Sequence, residues 1–389
     1  METGSHAPTK EGLLKTGVIV SHQANFYYVL AEGTEYACHM RGNLKKSGES
    51  PLVGDRVQFV LEPVSPDAPL PPPREGSLAL EAAIAPGVRK GAIVTIAPRK
   101  QALTRPAIAN VDLLLIVLSA DSPPFSHLLL DKFLVAAHEA DLVPVIVVNK
   151  RDLVPPAQLD EMVAVYRELA YHVIPTEATP QGVQALMPIL DGKLSVLAGP
   201  SGVGKSSLVN ALIPGLSLRA GDVSSKLQRG RHTTRHAALY AVDACQEALL
   251  ADTPGFSFLS LEGLHPARLG WAFPEIARLI PACRFPSCLH QQEPDCAVKD
   301  APEVAPQRYE NYLKLLQECL ETHRESADRT QKSDTGFKSH SRARGQEGRV
   351  VRVDATLRAR DRKTIKQQLE SEWQVDLDDS DETDSSGDY

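Results

Sequence analysis

Two kinds of hydrophobic pattern divide the chain. Between residues 14 and 104 the apolar residues come in short runs rich in β-branched and aromatic side chains: Thr16–Val20, Phe26–Ala31, Val57–Leu61 after a Val-Gly-Asp turn, and Gly91–Ala97. Short strands separated by glycine-bearing turns predict a small β-barrel. Pro63 to Gly87 is rich in proline and alanine and reads as a loop inserted into it. Residues 1–13 have neither pattern and read as a flexible leader.

From residue 105 to 275 the pattern changes. Val111–Leu118 is a continuous apolar run, and Leu128–Glu139 has apolar positions at helical spacing. Val143–Val148 is a second apolar run and Pro156–Leu169 a second helix; Val173–Pro175, Leu194–Ala198 and Glu247–Ala251 add short strands. Strands that are apolar on both faces and alternate with helices predict a largely parallel sheet covered on each side. Residues 276–325 hold a cluster of Cys and His, then a predicted helix over Ala305–Arg324. The expected architecture is therefore multi-domain: a barrel at 14–104, an α/β domain at 105–275, a small Cys/His-bearing helical domain at 276–325, and a tail at 326–389. Large apolar residues are too sparse in the tail to build a core, so it is expected to be disordered.

Charge changes this picture only at the end of the chain. The formal net charge is −7, with 42 basic and 49 acidic residues. Gln367–Tyr389 contains nine of the acids and no base, which leaves the remainder slightly basic, 42 against 40. Lys338–Lys366 just before it carries ten basic residues against three acidic ones, so the tail is basic, then acidic. No apolar stretch is long enough to span a bilayer, and the first ten residues lack a signal pattern, so a soluble, non-secreted, cytoplasmic protein is expected. Six cysteines are too few for a disulfide scaffold, and four metal-type ligands within fourteen residues indicate a reducing compartment.

The candidate chemistry begins at Gly199-Pro200-Ser201-Gly202-Val203-Gly204-Lys205-Ser206, followed by Ser207, which fits the phosphate-binding pattern G-x-x-x-x-G-K-[ST]. It lies between the predicted strand Leu194–Ala198 and a predicted helix Ser207–Leu212, the context that this loop needs. Glycines let main-chain N–H groups wrap phosphates, and the helix start adds positive potential. Lys205 is the candidate for the β- and γ-phosphates and Ser206 for a magnesium ion.

Asn149-Lys150-Arg151-Asp152 follows the apolar run Val143–Val148 and matches Asn-Lys-x-Asp. An ionised Asp152 only accepts hydrogen bonds. Guanine presents two adjacent donors, N1–H and the exocyclic amine, where adenine presents none, so one carboxylate selects guanine. Asn149 is expected to brace the loop and the Lys150 stem to cover the base. Asp252-Thr253-Pro254-Gly255 fits D-x-x-G: Asp252 is a second magnesium candidate, and the Gly255 N–H a sensor of the terminal phosphate. Thr233 and Thr234, in the polar stretch Gly230–Arg235, are candidates to complete the magnesium shell. Phe256 stands where many GTPases carry a water-orienting Gln, which predicts slow unassisted hydrolysis; His232, and less strongly His236, are candidate replacements. In an ordinary GTPase the phosphate loop comes first and the Asn-Lys-x-Asp loop late. Here the order is reversed: a circular permutation, which leaves the sheet intact because domain ends lie at the surface.

Cys283-x4-Cys288-x-His290-x5-Cys296 offers three thiolates and an imidazole with no spare carboxylate, a closed set suited to one tetrahedral structural Zn²⁺. Pro281, Pro286 and Pro294 fit a knuckle in which metal replaces burial.

Taken together, Asn149–Asp152, Gly199–Ser207, Gly230–His236, Asp252–Phe256, the Cys283/Cys288/His290/Cys296 knuckle and Arg308-Tyr-x-x-Tyr312 resemble the ribosome small-subunit-dependent GTPase family of the RsgA/YjeQ type, over about residues 14–325. The resemblance implies an OB-like barrel, a circularly permuted P-loop GTPase domain and a C-terminal zinc-binding helical domain. It also implies binding of GTP/GDP with Mg²⁺, a role late in maturation of the small (30S) ribosomal subunit, contacts to its rRNA, and hydrolysis stimulated by the subunit and coupled to release. A monomer without membrane contacts is expected. Arg41, Lys45 and Lys46 of the barrel are candidates for phosphate contacts. The Ser-Ala motif usual after the guanine loop stands here as Thr176-Glu177, and the basic-acidic tail lies outside the family pattern. Two other functions fit parts of the sequence: a GTP-dependent RNA-binding scaffold with little hydrolysis, and a GTP-dependent metal-delivery protein.

Overall fold

The computed structural model describes residues 14–23, 25–42, 44, 50–62, 90–104, 106–213, 216, 238–242, 247–252, 261 and 263–334. The expected leader, the Pro63–Gly87 insertion and the tail beyond 334 lie outside these residues.

Five strands close a barrel: β1 (Leu14–Gln23), β2 (Phe26–Ala31), β3 (Thr34–Met40), β4 (Arg56–Leu61) and β5 (Lys90–Ile96), in the order β1-β2-β3-β5-β4. Neighbours are antiparallel except β3 and β5, which run parallel. Along β4 the alternation is clean, with Val57 and Phe59 inside and Arg56 and Gln58 outside. β1 pairs with β2 along one half and β4 along the other, and the register slips between Ile19 and Ser21, bending the strand so that the sheet can close. Ile19, Val29, Tyr36, Cys38, Phe59 and Ile93 fill the interior. β3 was not legible in the sequence, because Glu35 and His39 interrupt its apolar character; only its Tyr36–Cys38 stretch and Met40 are buried.

The barrel is fastened to the α/β part of the chain. A hairpin, β6 (Ala102–Thr104) and β7 (Ala107–Ala109), leads into the second sheet. The Ala109 N–H donates to Val53 O (2.8 Å), and the Asn110 side chain donates to Gly54 O (3.0 Å). Gly54 has φ +90°, and a Cβ there would overlap the Ala109 carbonyl oxygen, so only glycine allows this approach. Asp55 beside it is fully buried and accepts two bonds from Arg99, Nε to Oδ1 at 2.7 Å and Nη2 to Oδ2 at 2.8 Å.

The second sheet contains β8 (Leu113–Ser119), β9 (Val143–Asn149), β10 (His172–Pro175), β11 (Leu194–Ala198), β12 (Ala238–Ala241) and β13 (Leu249–Asp252), in the order β10-β9-β8-β11-β13-β12. All neighbours are parallel except β12, which is antiparallel to β13. β8 is buried along its whole length, as a central strand covered on both faces must be. Leu114, Ile116 and Leu118 pack on the side of helices α1 (His127–Glu139) and α2 (Pro156–Glu168). Leu115 and Val117 pack on the side of α3 (Lys205–Leu212). The chain runs from β8 outward to β10 and then returns to place β11 on the other side of β8. The loops after β8 and β11 therefore part at a switch point, where open α/β sheets bind ligands.

The third core is built by Leu264, Leu269, Phe273, Ile276, Val298, Tyr312 and Leu316, with Val135 contributed by α1. Its long helix α4 spans Pro306–Asp334, ten residues beyond the expected end at Arg324. Glu325, Ala327, Arg329, Gln331 and Lys332 in the extension favour a helix, but without apolar periodicity they leave no pattern by which the sequence would mark its end. Among the described residues, no helix is long and apolar enough to cross a membrane.

Candidate nucleotide site and metal centre

The phosphate-type loop sits between the buried strand β11 and helix α3, which begins at Lys205. Gly199, Gly202 and Gly204 have φ of +142°, +84° and +95°. A Cβ on Gly199 would overlap the Val117 carbonyl, and one on Gly204 would overlap the side-chain nitrogen of Asn149. The Lys205 ammonium donates to Gly199 O (2.8 Å) and Pro200 O (2.7 Å). Burial pulls its pKa down to about 8, so it is a cation held at a cost.

The Asn149–Asp152 loop comes 54 residues earlier than its contacts in the phosphate-type loop, yet the two are joined. The buried Asn149 amide donates to Val203 O at 2.8 Å. Lys150, in the left-handed region at φ +61°, donates from Nζ to Gly202 O at 2.9 Å and to Ser122 O. Asp152 is exposed in the turn after β9, at the same sheet edge. Ser201 and Ser207 are exposed, Ser206 is half-buried, and Val203 packs into the core behind the loop.

The sequence reading missed the hydroxyl that orients Asn149. Thr176 is fully buried, and its Oγ1 donates to Asn149 Oδ1 (3.3 Å), which turns the amide nitrogen toward Val203. A hydroxyl side chain directly after a strand was the available signal. For Asp252 the structure describes the main chain at the end of β13, one residue past the Val196–Ala251 pair of the β11–β13 ladder, but not the side chain. His232, Thr233, Thr234 and Gly255 lie outside the described residues, as do Phe256, His236, Lys45 and Lys46. Arg41 is exposed just after β3.

The Cys/His cluster converges. Ligand atoms of Cys283, Cys288, His290 and Cys296 all lie within 4.8 Å of one another. His290 Nδ1 is 3.6 Å from Cys283 Sγ and 3.5 Å from Cys296 Sγ. Bond lengths of about 2.3 Å to sulfur and about 2.0 Å to nitrogen give a tetrahedral S···N edge of about 3.6 Å, so the donor set fits zinc in both chemistry and spacing. Burial lowers the His290 pKa, favouring the neutral ring that a metal needs. It raises the Cys288 thiol to about 12, so a metal must displace its proton. The surrounding shell is ordered by main-chain contacts. The Tyr309 and Tyr312 hydroxyls of α4 donate to His290 O (2.6 Å) and Leu289 O (3.0 Å). Glu293 accepts from the N–H groups of Leu289 (2.7 Å) and Gln291 (2.9 Å).

A second feature absent from the sequence reading ties this module to the nucleotide domain. Arg308, the first residue of the Arg-Tyr-x-x-Tyr motif, is 1% exposed. It bonds Glu275 through Nε (2.7 Å) and Nη2 (3.2 Å), and Asp131 of α1 through Nη1. Asp131 also accepts from Tyr166 (2.9 Å) and Asn311 (2.7 Å). Burial raises the Asp131 pKa, and Arg308 pulls it back.

A permuted α/β domain with a glycine-rich phosphate-type loop braced by an Asn-Lys-x-Asp loop, behind a five-stranded barrel and before a Cys3His knuckle, defines a circularly permuted GTPase. Comparison with known proteins narrows the class. The model described as RsgA GTPase matches residues 96–262, and that described as RsgA N-terminal domain matches 16–64. The chain is similar to a protein named small ribosomal subunit biogenesis GTPase RsgA from Geobacillus thermodenitrificans, with 42% identity over 312 residues, 78% of this chain and 97% of that one. A protein of the same name from Shouchella clausii is 40% identical, over 79% of this chain and 98% of that one. Among solved structures, YjeQ from Thermotoga maritima shares 35% identity at a TM-score of 0.63, covering 79% of this chain and 99% of that chain. YloQ, a circularly permuted GTPase, shares 31% identity at a TM-score of 0.61, covering 81% and 98%. The chain belongs to the RsgA GTPase family.

Proposed function

We propose that this GTPase binds GTP at the switch point between β8 and β11, hydrolyses it to GDP and phosphate, and uses the cycle in biogenesis of the small ribosomal subunit. The relatives carry that role in their names. The single observation that supports the site most strongly is the pair of bonds from Asn149 to Val203 O and from Lys150 to Gly202 O. They hold a base-reading loop and a phosphate-reading loop as one unit. In this reading Asp152 accepts from the guanine N1–H and amine, and the Lys150 stem lies along the ring. The main-chain N–H groups of Gly199–Ser207 surround the phosphates, and the Lys205 ammonium leaves its two carbonyl partners for the β- and γ-oxygens.

Ser206 and Asp252 would hold Mg²⁺, with Thr233 or Thr234 as the further candidate ligand, and a bound ion would supply charge neutralisation at the transferring phosphoryl group. The Gly255 N–H senses the γ-phosphate, and His232 takes the place of the missing water-orienting Gln. The Cys283/Cys288/His290/Cys296 set holds one structural zinc. A closed set of this kind speaks against metal delivery, since a carrier must open to release its cargo.

The partner in this proposal is rRNA on the subunit, in the cytoplasm, met by a monomer. Arg41 on the barrel is exposed, and so are Trp271, just before the metal-binding segment, and Phe285 within it, with Arg268, Arg278 and Arg284 nearby in sequence. Aromatic and guanidinium groups of this kind suit unpaired bases and phosphates. The test is multiple-turnover GTP hydrolysis with and without purified small subunits. Slow turnover alone and acceleration of at least about tenfold by the subunit is expected. No acceleration, or equal turnover of ATP, would refute the proposal.

A further inference from the structure

We propose that the Arg151–Glu177 ion pair is a specificity device: it neutralises a carboxylate that the loop after β10 places beside the guanine-reading edge, and so keeps that edge selective for a purine with an oxygen at position 6. The inference rests on the reading of Asp152 as the acceptor for guanine.

The placement comes from the main chain. β10 is the neighbour of β9 at the sheet edge, and its ladder continues one residue past the strand. The Thr176 N–H donates to Val148 O (2.8 Å), and Thr176 O accepts from the Arg151 N–H (3.0 Å). Glu177 therefore directly follows the residue whose carbonyl is bonded to the Asn149–Asp152 loop. Its carboxylate lies 3.5 Å from Arg151 Nε and also accepts from Thr179 Oγ1 at 3.1 Å.

The side chain has little freedom to leave. A Cβ on Gly182 would overlap Glu177 Cγ, so the stem is packed against main chain, and only 29% of the side chain is exposed. Thr179 Oγ1 also accepts from the Gly182 N–H (3.0 Å), and the Val183 N–H bonds Thr179 O (3.2 Å), closing the loop on itself.

The recognition edge of guanine reads donor, donor, acceptor. Asp152 satisfies the two donors. The third group, the 6-oxygen, carries partial negative charge, and an unpaired carboxylate beside it repels it. The same carboxylate would attract the 6-amino group of adenine. The Arg151 guanidinium removes this conflict, which makes the variable third position of Asn-Lys-x-Asp a positioning residue that acts through Glu177.

Arg151 is 46% exposed, so its replacement leaves the fold intact. The test is competitive binding of GDP and ADP to the full chain in four forms: unsubstituted, Arg151→Ala, Glu177→Gln, and both together. Arg151→Ala is expected to weaken GDP about five- to tenfold, the effect of one partly exposed charge near a carbonyl dipole at the rim of a site. ADP does not share the loss, and the double variant returns GDP to within about twofold of the unsubstituted chain. Equal weakening of GDP in Arg151→Ala and in the double variant overturns the proposal, as does a loss shared by both nucleotides or no loss at all. Asp152→Ala is measured alongside: if it leaves GDP binding unchanged, the guanine-edge reading itself has failed and the proposal falls with it, whereas a loss there with no effect at Arg151 overturns the ion-pair proposal alone.

Discussion

Replacing Arg308 by Met keeps the stem and removes the one positive charge in a cluster with two carboxylates. Asp131 and Glu275 are 0% and 4% exposed, so neither gains water when its partner disappears. Removing one partner of a buried pair costs about 3–5 kcal/mol, chiefly because the remaining charge is left without compensation. Loss of the guanidinium stacked 4.6 Å from the Phe273 ring adds to this. At roughly 2–3 °C per kcal/mol for a protein of this size, the melting temperature should fall by about 10 °C. The pH dependence is signed. Burial already raises the Asp131 pKa above its ordinary value, and loss of Arg308 raises it further. A group with a raised folded-state pKa is no burden where it is protonated in both states, and becomes one as pH rises above its unfolded value. The deficit of the variant should therefore be larger at pH 8 than at pH 5. Asp131→Asn added to Arg308→Met should recover part of it, because Tyr166 and Asn311 can still bond an amide. Thermal melts of the three proteins at both pH values test this. A melting point within about 2 °C of the unsubstituted chain, or a deficit independent of pH, would refute the reasoning.

Gly204→Ala places a methyl group on the Asn149 amide at φ +95°, so nucleotide affinity should drop at least about tenfold, with a small change in melting temperature; titration with GDP checks it. Lys205, with a pKa lowered to about 8, should regain its ordinary value against an anionic nucleotide. Affinity for GTP is then level below about pH 8 and declines by up to tenfold per pH unit above it, with proton uptake on binding at pH 9 measurable by calorimetry in two buffers; Lys205→Arg should flatten the profile. Metal analysis should find one zinc per chain, and His290→Ala should lose it and lower the melting temperature, whereas GDP affinity, which resides in a different core, should change little.

Much of the nucleotide domain was legible because its strands are apolar on both faces and end in loops of fixed chemistry. The run Leu194–Ala198 is the observed strand, and Val143–Val148 falls one residue short of it. The hairpin at 102–109 was hidden by its short length and small residues. β12, Ala-Leu-Tyr-Ala, offers only four positions, too few for a period to show. Within the site, the motif chemistry of a loop says which atoms it offers but not which atoms hold it. Thr176 bonds Asn149 across 27 residues, and Arg308 bonds Asp131 across 177. Such partners leave no spacing rule in the chain, and polar residues that would read as surface turn out to be interior. The zinc knuckle was readable for the opposite reason, since its four ligands are close in sequence and the metal chemistry restricts their identity.

The barrel cannot be treated as a cassette that is exchanged or removed at will. One continuous apolar cluster runs from Ile19 and Phe59 through Val53, Ile108 and Val111 to Leu114 and Leu194. Severing the chain before β6 would strip Val53 from Ile108 and deprive the Ala109 N–H of its acceptor. A shortened protein of that kind should expose greasy surface and aggregate, and a graft from a relative should succeed only if it brings along the seam of Gly54, Asp55 and Arg99 as a set.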